Sequence, residues 1–311
     1  MYHPYFRGKQ NELLTIRENA TLLAASAFVP IIEPVKESLG GLEKALKAVC
    51  DADGKAIVIV NPYHGEHAEN GEGISTLLKQ QFISNPAVSA GVLLKSNTTT
   101  AQALACCEEH KDHGLTLIHA GFPHAKELAE GLETDLPSTK HVFFEQFCGK
   151  LYRKHFSQCD RILLRDGFVR RRNKDHPDLE AFSDLHATFT EEGMQGFGDF
   201  LTVGDDFQES GGPAYAIAIH LTFIDPDKDD EMFIYHFKSK RQDTPTDPAG
   251  KFAEALDAMI KQLNKANSKV LGTKAVAEFR SLHERGHFPG LGYIKKLSMQ
   301  HHIETLADYF E

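Results

Sequence analysis

The sequence lacks the features that would place it in a membrane or outside the cell. None of its apolar runs approaches the ~20 residues that a membrane-spanning helix needs. The opening MYHPYFRGKQ lacks the apolar core of a signal peptide. The five cysteines show no CxxC spacing, which favours reduced, mostly buried thiols over a disulfide framework. These absences predict a cytoplasmic protein.

Several binding motifs are also missing. There is no HxH pattern, so zinc is not expected, and the glycine-rich loop 204–213 contains neither GxGxxG nor GKS/T, which argues against a dinucleotide or P-loop site. The balance of 34 Lys and Arg against 44 Asp and Glu gives a net charge of −10. That balance argues against a protein whose entire surface binds nucleic acid, but it allows a local basic site.

Eight short apolar runs alternate with stretches of helical spacing in the first part of the chain. The runs are continuously apolar, which indicates strands buried on both faces of a parallel sheet. They lie at residues 2–6, 28–35, 55–60, 90–94, 115–118, 142–144, 162–164 and 196–203. We therefore predict an α/β fold, a (β/α)8 TIM-like barrel over residues 1–205, with a doubly wound open sheet as the alternative.

The pattern changes after the predicted barrel. Residues 215–223 and 232–236 flank the turn DPDKDDE and predict an antiparallel β-hairpin. Helical spacing returns over residues 250–265 and about 272–284, and again at the end of the chain. Residues 206–311 are thus expected to form a hairpin and a helical C-terminal extension packed on the barrel. An edge of that hairpin must be paired or covered, and Phe233, Phe237 and Tyr293 are candidate anchors for a partner.

Four stretches resemble one known family. They are YHPYFRGKQNELLTIREN, VPIIEPV, GFGDF and GGPAYAIAIHLTF, and together they are similar to the beta-protein family, named from a phage protein. The family opens with a Tyr-x-Pro-x-Leu-Lys-x-Lys-x-Gly-Glu pattern, whose roles Tyr2, Pro4, Arg7, Lys9 and Glu12 would take here with shifted gaps. The resemblance implies a barrel-like fold and a role in antiviral defence. It also implies a partner, the PD-(D/E)XK-nuclease-like protein encoded beside the nearest branch.

Charged or polar residues follow almost every predicted strand, and in a closed barrel they would converge at one end. The acidic and imidazole side chains suit acid–base catalysis. These candidate catalytic residues are Glu33, His119, Glu145, Asp166 and Asp199. Three of the carboxylates, Glu33, Glu145 and Asp166, are the candidate ligands of a Mg²⁺ ion.

The remaining strand-end residues would form a positive floor for phosphate or carboxylate. These ligand-binding candidates are Arg7, Lys9, Asn61, Lys95 and Arg165. Arg171 and Arg172 belong to a basic cluster after the seventh strand, which is either a solvated loop or a gate for an anionic substrate or a nucleic-acid backbone. For the strand-end residues, the alternative is a network of ion pairs that merely neutralise one another.

The function predicted from the sequence is an enzyme of bacterial antiviral defence. It would act on, or bind, a phosphorylated or otherwise anionic ligand, such as a nucleotide or nucleic acid, at the barrel mouth, as a metal-assisted phosphoester hydrolase. The alternative is a non-enzymatic sensor, inhibitor or scaffold for the nuclease-like partner. A homo-oligomer is left open.

Overall fold

The structure is a computed structural model that describes residues 1–83, 85–209 and 212–311. Ser84, Ser210 and Gly211 lie outside the described residues. Ser84 falls in the helix predicted over residues 73–85, and Gly211 opens the run GGPAYAIAIHLTF.

The chain divides into two compact units. The first, here called the barrel unit, contains Met1–Arg165 and Thr188–Asp199. The second, here called the sheet–helix unit, contains Asp166–Ala187 and Phe200–Glu311. The division differs from the single boundary predicted after residue 205, because residues 166–187 belong with the C-terminal part of the chain.

The barrel unit contains eight parallel strands, each hydrogen-bonded to its neighbours in the order β1 to β7 and then β9. They are β1 (Tyr5–Phe6), β2 (Ile31–Ile32), β3 (Ala56–Ile59), β4 (Val88–Lys95), β5 (Leu115–Ala120), β6 (Lys140–Phe144), β7 (Asp160–Leu164) and β9 (Gly196–Gly198). A parallel bridge between Tyr2 and Phe197 brings the last strand back to the first. The predicted (β/α)8 TIM-like barrel is confirmed.

Two glycines of the GFGDF motif permit this closure. A Cβ atom on Gly196 would stand 2.6 Å from the carbonyl oxygen of Met1, and one on Gly198 would overlap the carbonyl of His3. The backbone amide of His3 donates to the carbonyl of Phe197 at 2.8 Å. The motif is therefore explained by the close approach of two backbones, which only glycine allows.

Helices follow most of the barrel strands and bury an apolar face. In α3, for example, Leu42, Leu46 and Val49 recur at helical spacing and are buried. A capping box formed by Thr99 and Gln102 begins α5. The helices are α1 (Gln10–Glu18), α2 (Ala20–Ala25), α3 (Gly40–Asp51), α4 (Glu72–Gln81), α5 (Thr100–His110), α6 (Ala125–Leu132), α7 (Lys150–Arg153) and α8 (Leu185–Thr188).

The sheet–helix unit is built on a three-stranded antiparallel sheet in the order β10–β11–β8. The predicted hairpin is present as β10 (Ala218–Asp225) and β11 (Glu231–Lys238), and the third strand is β8 (Leu179–Ser183). None of the apolar runs found in the sequence lies at β8. Its residues LEAFS bury only Phe182, so no apolar run marks the strand.

Three helices complete this unit: α9 (Pro248–Leu263), α10 (Lys274–Arg285) and α11 (Leu291–Phe310). Ile219, Leu221 and Phe237 from one face of the sheet pack with these helices in a single core. Phe233 and Phe237 are only 8% and 7% exposed, and Phe237 belongs to this core, while the partner surface predicted here stays a prediction. Tyr293 packs partly buried against the same core.

All five cysteines are free thiols, and Cys107, Cys148 and Cys159 are buried. Burial is the first cause that raises the pKa of Cys107 and of Cys148 to about 12, so these thiols are unreactive. In the described part of the chain, no helix combines the length and apolar character needed to cross a membrane.

Candidate functional site

Glu33 lies at the end of β2 and is fully buried. Its Oε2 accepts hydrogen bonds from the Tyr5 hydroxyl at 2.7 Å and from the Arg7 guanidinium, with which it forms an ion pair. Its Oε1 accepts the backbone amides of Tyr63 at 2.9 Å and His64 at 3.0 Å. Four donors thus occupy the carboxylate, and Glu33 fixes the loop after β3.

The balance of these contacts keeps Glu33 ionised. Burial opposes the charge, but the Arg7 guanidinium and the Tyr5 hydroxyl more than offset it and hold the pKa of Glu33 below its usual value. The predicted catalytic and metal-binding roles of Glu33 remain untested, and the contacts assign it a positioning role.

Tyr63 and Lys95 meet at the carboxyl ends of neighbouring strands β3 and β4. The Lys95 ammonium lies 4.5 Å from the centroid of the Tyr63 ring, and the tyrosine is 49% exposed. The side chain of Asn61 bridges the same two strands, donating to the Leu93 carbonyl at 2.9 Å and accepting its amide at 2.8 Å. Asn61 therefore aligns the strand ends, while Tyr63 presents its ring to solvent and the Lys95 ammonium lies against that ring.

Glu145 and Arg165 form a second pair at the ends of β6 and β7. Arg165 Nε and Nη2 donate to the two carboxylate oxygens of Glu145 at 2.5 and 2.9 Å, a bidentate arrangement. Their side chains remain 33% and 29% exposed, respectively. Glu145 can therefore contact a substrate, whereas Glu33 and Asp199 are buried. Lys9 precedes α1 and is partly exposed.

The remaining predicted catalytic residues are held in other ways. Asp199 accepts a hydrogen bond from the buried Tyr2 hydroxyl at 2.6 Å. Asp166, in the sheet–helix unit, accepts the backbone amides of Phe168 at 2.9 Å and Asp205 at 2.8 Å. These contacts are typical of turn-forming carboxylates. Magnesium binding by Glu33, Glu145 and Asp166 stays a prediction.

His119 is buried in a cluster of rings. Its Nδ1 lies 2.7 Å from the Tyr152 hydroxyl and its Nε2 lies 2.9 Å from His141 Nδ1, while Phe156 packs against both imidazoles. Burial, followed by the neighbouring His141, lowers the pKa of His119 well below its usual value. A neutral, fully enclosed ring suits packing better than the proton-shuttle role predicted for it.

The basic cluster at residues 170–172 is paired with acids. Arg170 contacts Asp206 and Arg172 contacts Asp175, at 2.8 and 2.6 Å. Arg171 donates to Glu180 Oε1 at 2.6 Å. The three arginines are therefore ion-paired, and a role of this segment as a gate for an anionic substrate stays a prediction.

Arg171 leads to a cluster of three histidines that sequence reasoning missed. Each of His176, His220 and His236 offers a ring nitrogen, and the three nitrogens lie within 4.8 Å of one another. His220 and His236 face each other across β10 and β11, with their Nδ1 atoms 2.7 Å apart. The ring of His176 stacks on that of His236 with centroids 4.3 Å apart. These three residues are here called the histidine cluster.

The surroundings of the histidine cluster fix its protonation. His236 Nε2 donates a hydrogen bond to Glu180 Oε1 at 2.9 Å, so in the neutral ring His236 Nδ1 carries the lone pair. His220 Nδ1 must then donate to it. Burial is the first cause that lowers the pKa of all three rings, that of His236 to about 4. Neutral imidazole is the form that binds metal ions.

Two other segments of this unit match the sequence patterns of metal-binding motifs. HERGH at residues 283–287 matches HExxH, but α10 ends at Arg285 and Gly286 adopts a left-handed conformation, so the two histidines do not share a helical face. In DPDKD, at residues 225–229, Lys269 pairs with both Asp225 and Asp227. Neither segment forms a metal site among the described residues.

Comparison with known proteins adds little. No family model matches the chain, and no curated protein is significantly similar to it, so membership of the beta-protein family stays a prediction. Among solved structures, the endo-1,4-beta-mannanase from Rhizomucor miehei is similar over 64% of this chain and 85% of that chain, at 10% identity and a TM-score of 0.42. A likeness this distant carries no argument about activity.

Proposed function

We propose that the barrel unit is an enzyme for a small anionic ligand that carries a planar ring, and that a nucleotide is the ligand class that combines both features. The observation that supports the proposal is the half-exposed Tyr63 ring with the Lys95 ammonium above it, at the ends of two neighbouring strands. The carboxyl ends of barrel strands are where enzymes of this architecture place their sites.

The two side chains suit the two parts of such a ligand. Stacking of a nucleobase on an exposed aromatic ring contributes about 1–3 kcal/mol, largely independent of base identity. An ammonium group is a compact donor for phosphate oxygens. Lys95 and Tyr63 therefore provide a charge and a stacking surface within one ligand length.

The loop that carries Tyr63 is ordered before any ligand arrives. Glu33 binds the backbone amides of residues 63 and 64, and the carboxylate is itself held by Tyr5 and Arg7. A ring fixed in this way loses little conformational entropy on binding. Glu33 supports the proposal as a positioning residue that does not contact the ligand.

Glu145 is the carboxylate proposed for the chemistry. It is the most exposed of the predicted catalytic carboxylates of the barrel unit, and Arg165 fixes its orientation through two hydrogen bonds. We assign to it the proton transfer of a phosphoester hydrolysis, with Arg165 and Lys95 facing the charge that develops on phosphate. A role in antiviral defence rests on the resemblance to the beta-protein family.

The test is ligand binding by matched tyrosine variants. Thermal shifts with a nucleotide panel identify a ligand, and its Kd is then measured for Tyr63→Ala and Tyr215→Ala. Tyr215 is 50% exposed, as Tyr63 is, but lies in the sheet–helix unit. We expect Tyr63→Ala to weaken binding by about 5- to 150-fold, the equivalent of 1–3 kcal/mol, and Tyr215→Ala to leave it unchanged. No shift with any nucleotide, or equal effects of the two variants, would refute the proposal.

A second candidate function is a scaffold for a nuclease-like partner. The observation that favours it is an apolar pair after β6, in which Leu151 is 82% and Phe147 is 50% exposed. Exposed apolar side chains of this kind are found at docking surfaces. Co-elution of the protein with the co-expressed neighbour should be lost in Leu151→Asp, while retained co-elution would rule out this surface.

A further inference from the structure

We propose that the histidine cluster of the sheet–helix unit, His176, His220 and His236, is a binding site for a divalent transition-metal ion, with zinc as the ion to test. The inference is independent of the proposed function, because the residues belong to a different unit from Tyr63 and Glu145.

Strand geometry places two of the three rings. His220 and His236 are directly opposed in the register of β10 and β11, so their side chains emerge on the same face of the sheet. Their neighbours Ile219, Leu221 and Phe237 point to the other face, into the core with the helices. The cluster therefore lies on the opposite face of the sheet from these core residues.

The third ring comes from the segment before β8. His176 is 3% exposed, and its buried Nδ1 makes no hydrogen bond, since Glu180 Oε1 stands 3.9 Å away, too far for one. A buried polar nitrogen left unpaired costs about 1–3 kcal/mol, so native proteins rarely retain one without a purpose. A ligand bond to a metal ion would satisfy it. Phe168 packs against all three rings and closes the site with apolar surface.

Glu180 accepts a hydrogen bond from the ring nitrogen of His236 that would face away from the metal ion, as carboxylates beside metal-binding histidines usually do. Its carboxylate lies 2.9 Å from His236 Nε2, which directs Nδ1 of that ring towards His220. Arg171 in turn holds the carboxylate at 2.6 Å. A carboxylate that accepts the second N–H of a ligating imidazole fixes its tautomer and strengthens it as a ligand.

Two of the cations around the cluster are paired with acids, and a third, Lys295 of α11, is a solvent-exposed side chain whose positive charge acts on His220. Arg171 is paired with Glu180, and Lys238, which donates to the backbone carbonyl of His176, lies 3.0 Å from Asp178. His220 is partly exposed, which gives an ion a route from solvent.

The ligand set selects the class of ion. Three imidazoles suit zinc, iron, copper or nickel, whereas magnesium and calcium prefer oxygen ligands. Two nitrogens on one tetrahedral zinc ion stand about 3.3 Å apart, given bonds of about 2.0–2.1 Å. The 2.7 Å contact between His220 and His236 is a hydrogen bond that the ion would replace, with a small separation of the rings. Three protein ligands leave a fourth position for water or substrate.

The experiment measures metal binding by the full-length protein. Chelator-treated protein is titrated with Zn²⁺, and with Co²⁺ as a spectroscopic probe whose visible absorption distinguishes four-coordinate sites. The variants are His176→Gln, His236→Gln and Glu180→Gln. The control is His186→Gln, since His186 is also buried in this unit and its Nε2 donates to the backbone carbonyl of Asp230 at 2.9 Å, away from the histidine cluster.

We expect one Zn²⁺ per chain in the wild type and in His186→Gln, and loss of the Co²⁺ absorption in His176→Gln and His236→Gln. Glu180→Gln should retain the fold and bind Zn²⁺ about 10- to 100-fold more weakly. Substoichiometric binding by the wild type, or equal affinity of Glu180→Gln and the wild type, would overturn the proposal. Circular dichroism of every variant separates lost binding from lost structure.

Discussion

The carboxylate of Glu33 accepts the backbone amide of Tyr63 at 2.9 Å, so the end of one barrel strand holds the loop that follows the next. The same carboxylate pairs with Arg7, from the end of the first strand. One buried charge thereby ties together the ends of three neighbouring strands.

Replacing this carboxylate by an amide should destabilise the barrel unit. Glu33→Gln removes the negative charge that is ion-paired with the buried Arg7 guanidinium, and breaking a buried pair costs about 3–5 kcal/mol. Urea unfolding measures the loss. As a control, Glu66→Gln removes a carboxylate from an exposed pair with Lys36 and should leave stability almost unchanged. Equal stability of Glu33→Gln and the wild type would contradict the role assigned to this pair.

Closure of the barrel should depend on Gly198. The added methyl group of Gly198→Ala would overlap the His3 carbonyl and stand 2.7 Å from Leu164 Cδ1, so β9 must move away from β1. We expect a loss of several kcal/mol, as for overpacking in a rigid core. Gly149→Ala is the matched control, because nothing lies within 4 Å of a Cβ at that position. Comparable melting temperatures of the two variants would show that the close approach is relaxed easily.

Activity, once a nucleotide substrate is known, should depend on Glu145. Glu145→Gln keeps a side chain of the same shape but removes the proton acceptor, and general acid–base groups contribute about 100- to 10,000-fold to rate. Glu192→Gln serves as the control, since Glu192 is 29% exposed and is also paired with an arginine of the barrel unit, Arg153. Phosphate release reports both rates. Full activity of Glu145→Gln would remove it from the mechanism.

Stability should fall as pH drops below neutrality, before most carboxylates protonate. Burial is the first cause that lowers the pKa of His3 and His141 to about 3, and that of His301 to about 4. The unfolded chain therefore binds more protons between pH 6.5 and about 3, and stability rises with pH across that window. Each histidine contributes up to about 1.4 kcal/mol per pH unit. A free energy of unfolding that is constant from pH 7 to 4.5 would contradict this prediction.

The barrel was predictable because its signals are local. Continuous apolar runs and the polar residues after them identified all eight barrel strands. Strand β8 could not be found in the same way, because LEAFS pairs at the edge of a small sheet and buries one side chain. Because β8 pairs with β11, residues 166–187 belong to the sheet–helix unit, although they lie before the last barrel strand in the sequence.

The candidate site was predicted as a set of residue types, without their pairing. The sequence shows that acids and bases follow the strands. It does not show that Glu33 is buried with four donors while the side chain of Glu145 is 33% exposed, because the loops determine both environments. The histidine cluster was even harder to predict from the sequence. His220 and His236 lie in apolar strands and resemble core residues, and the third ring comes from a segment with no periodic pattern.

The chain passes between the two units three times, and this has a consequence for synthesis on the ribosome. Strand β8 is synthesised before β9, but it can pair only after β11 has been synthesised. Likewise, the first barrel strand can close the barrel only after β9 has been synthesised. Two sets of distant pairings are therefore open at once, and each carries the entropic cost of closing a long loop. A nascent chain that stops after residue 199 would have every barrel strand, yet it would display β8 as an unpaired edge that other chains can extend.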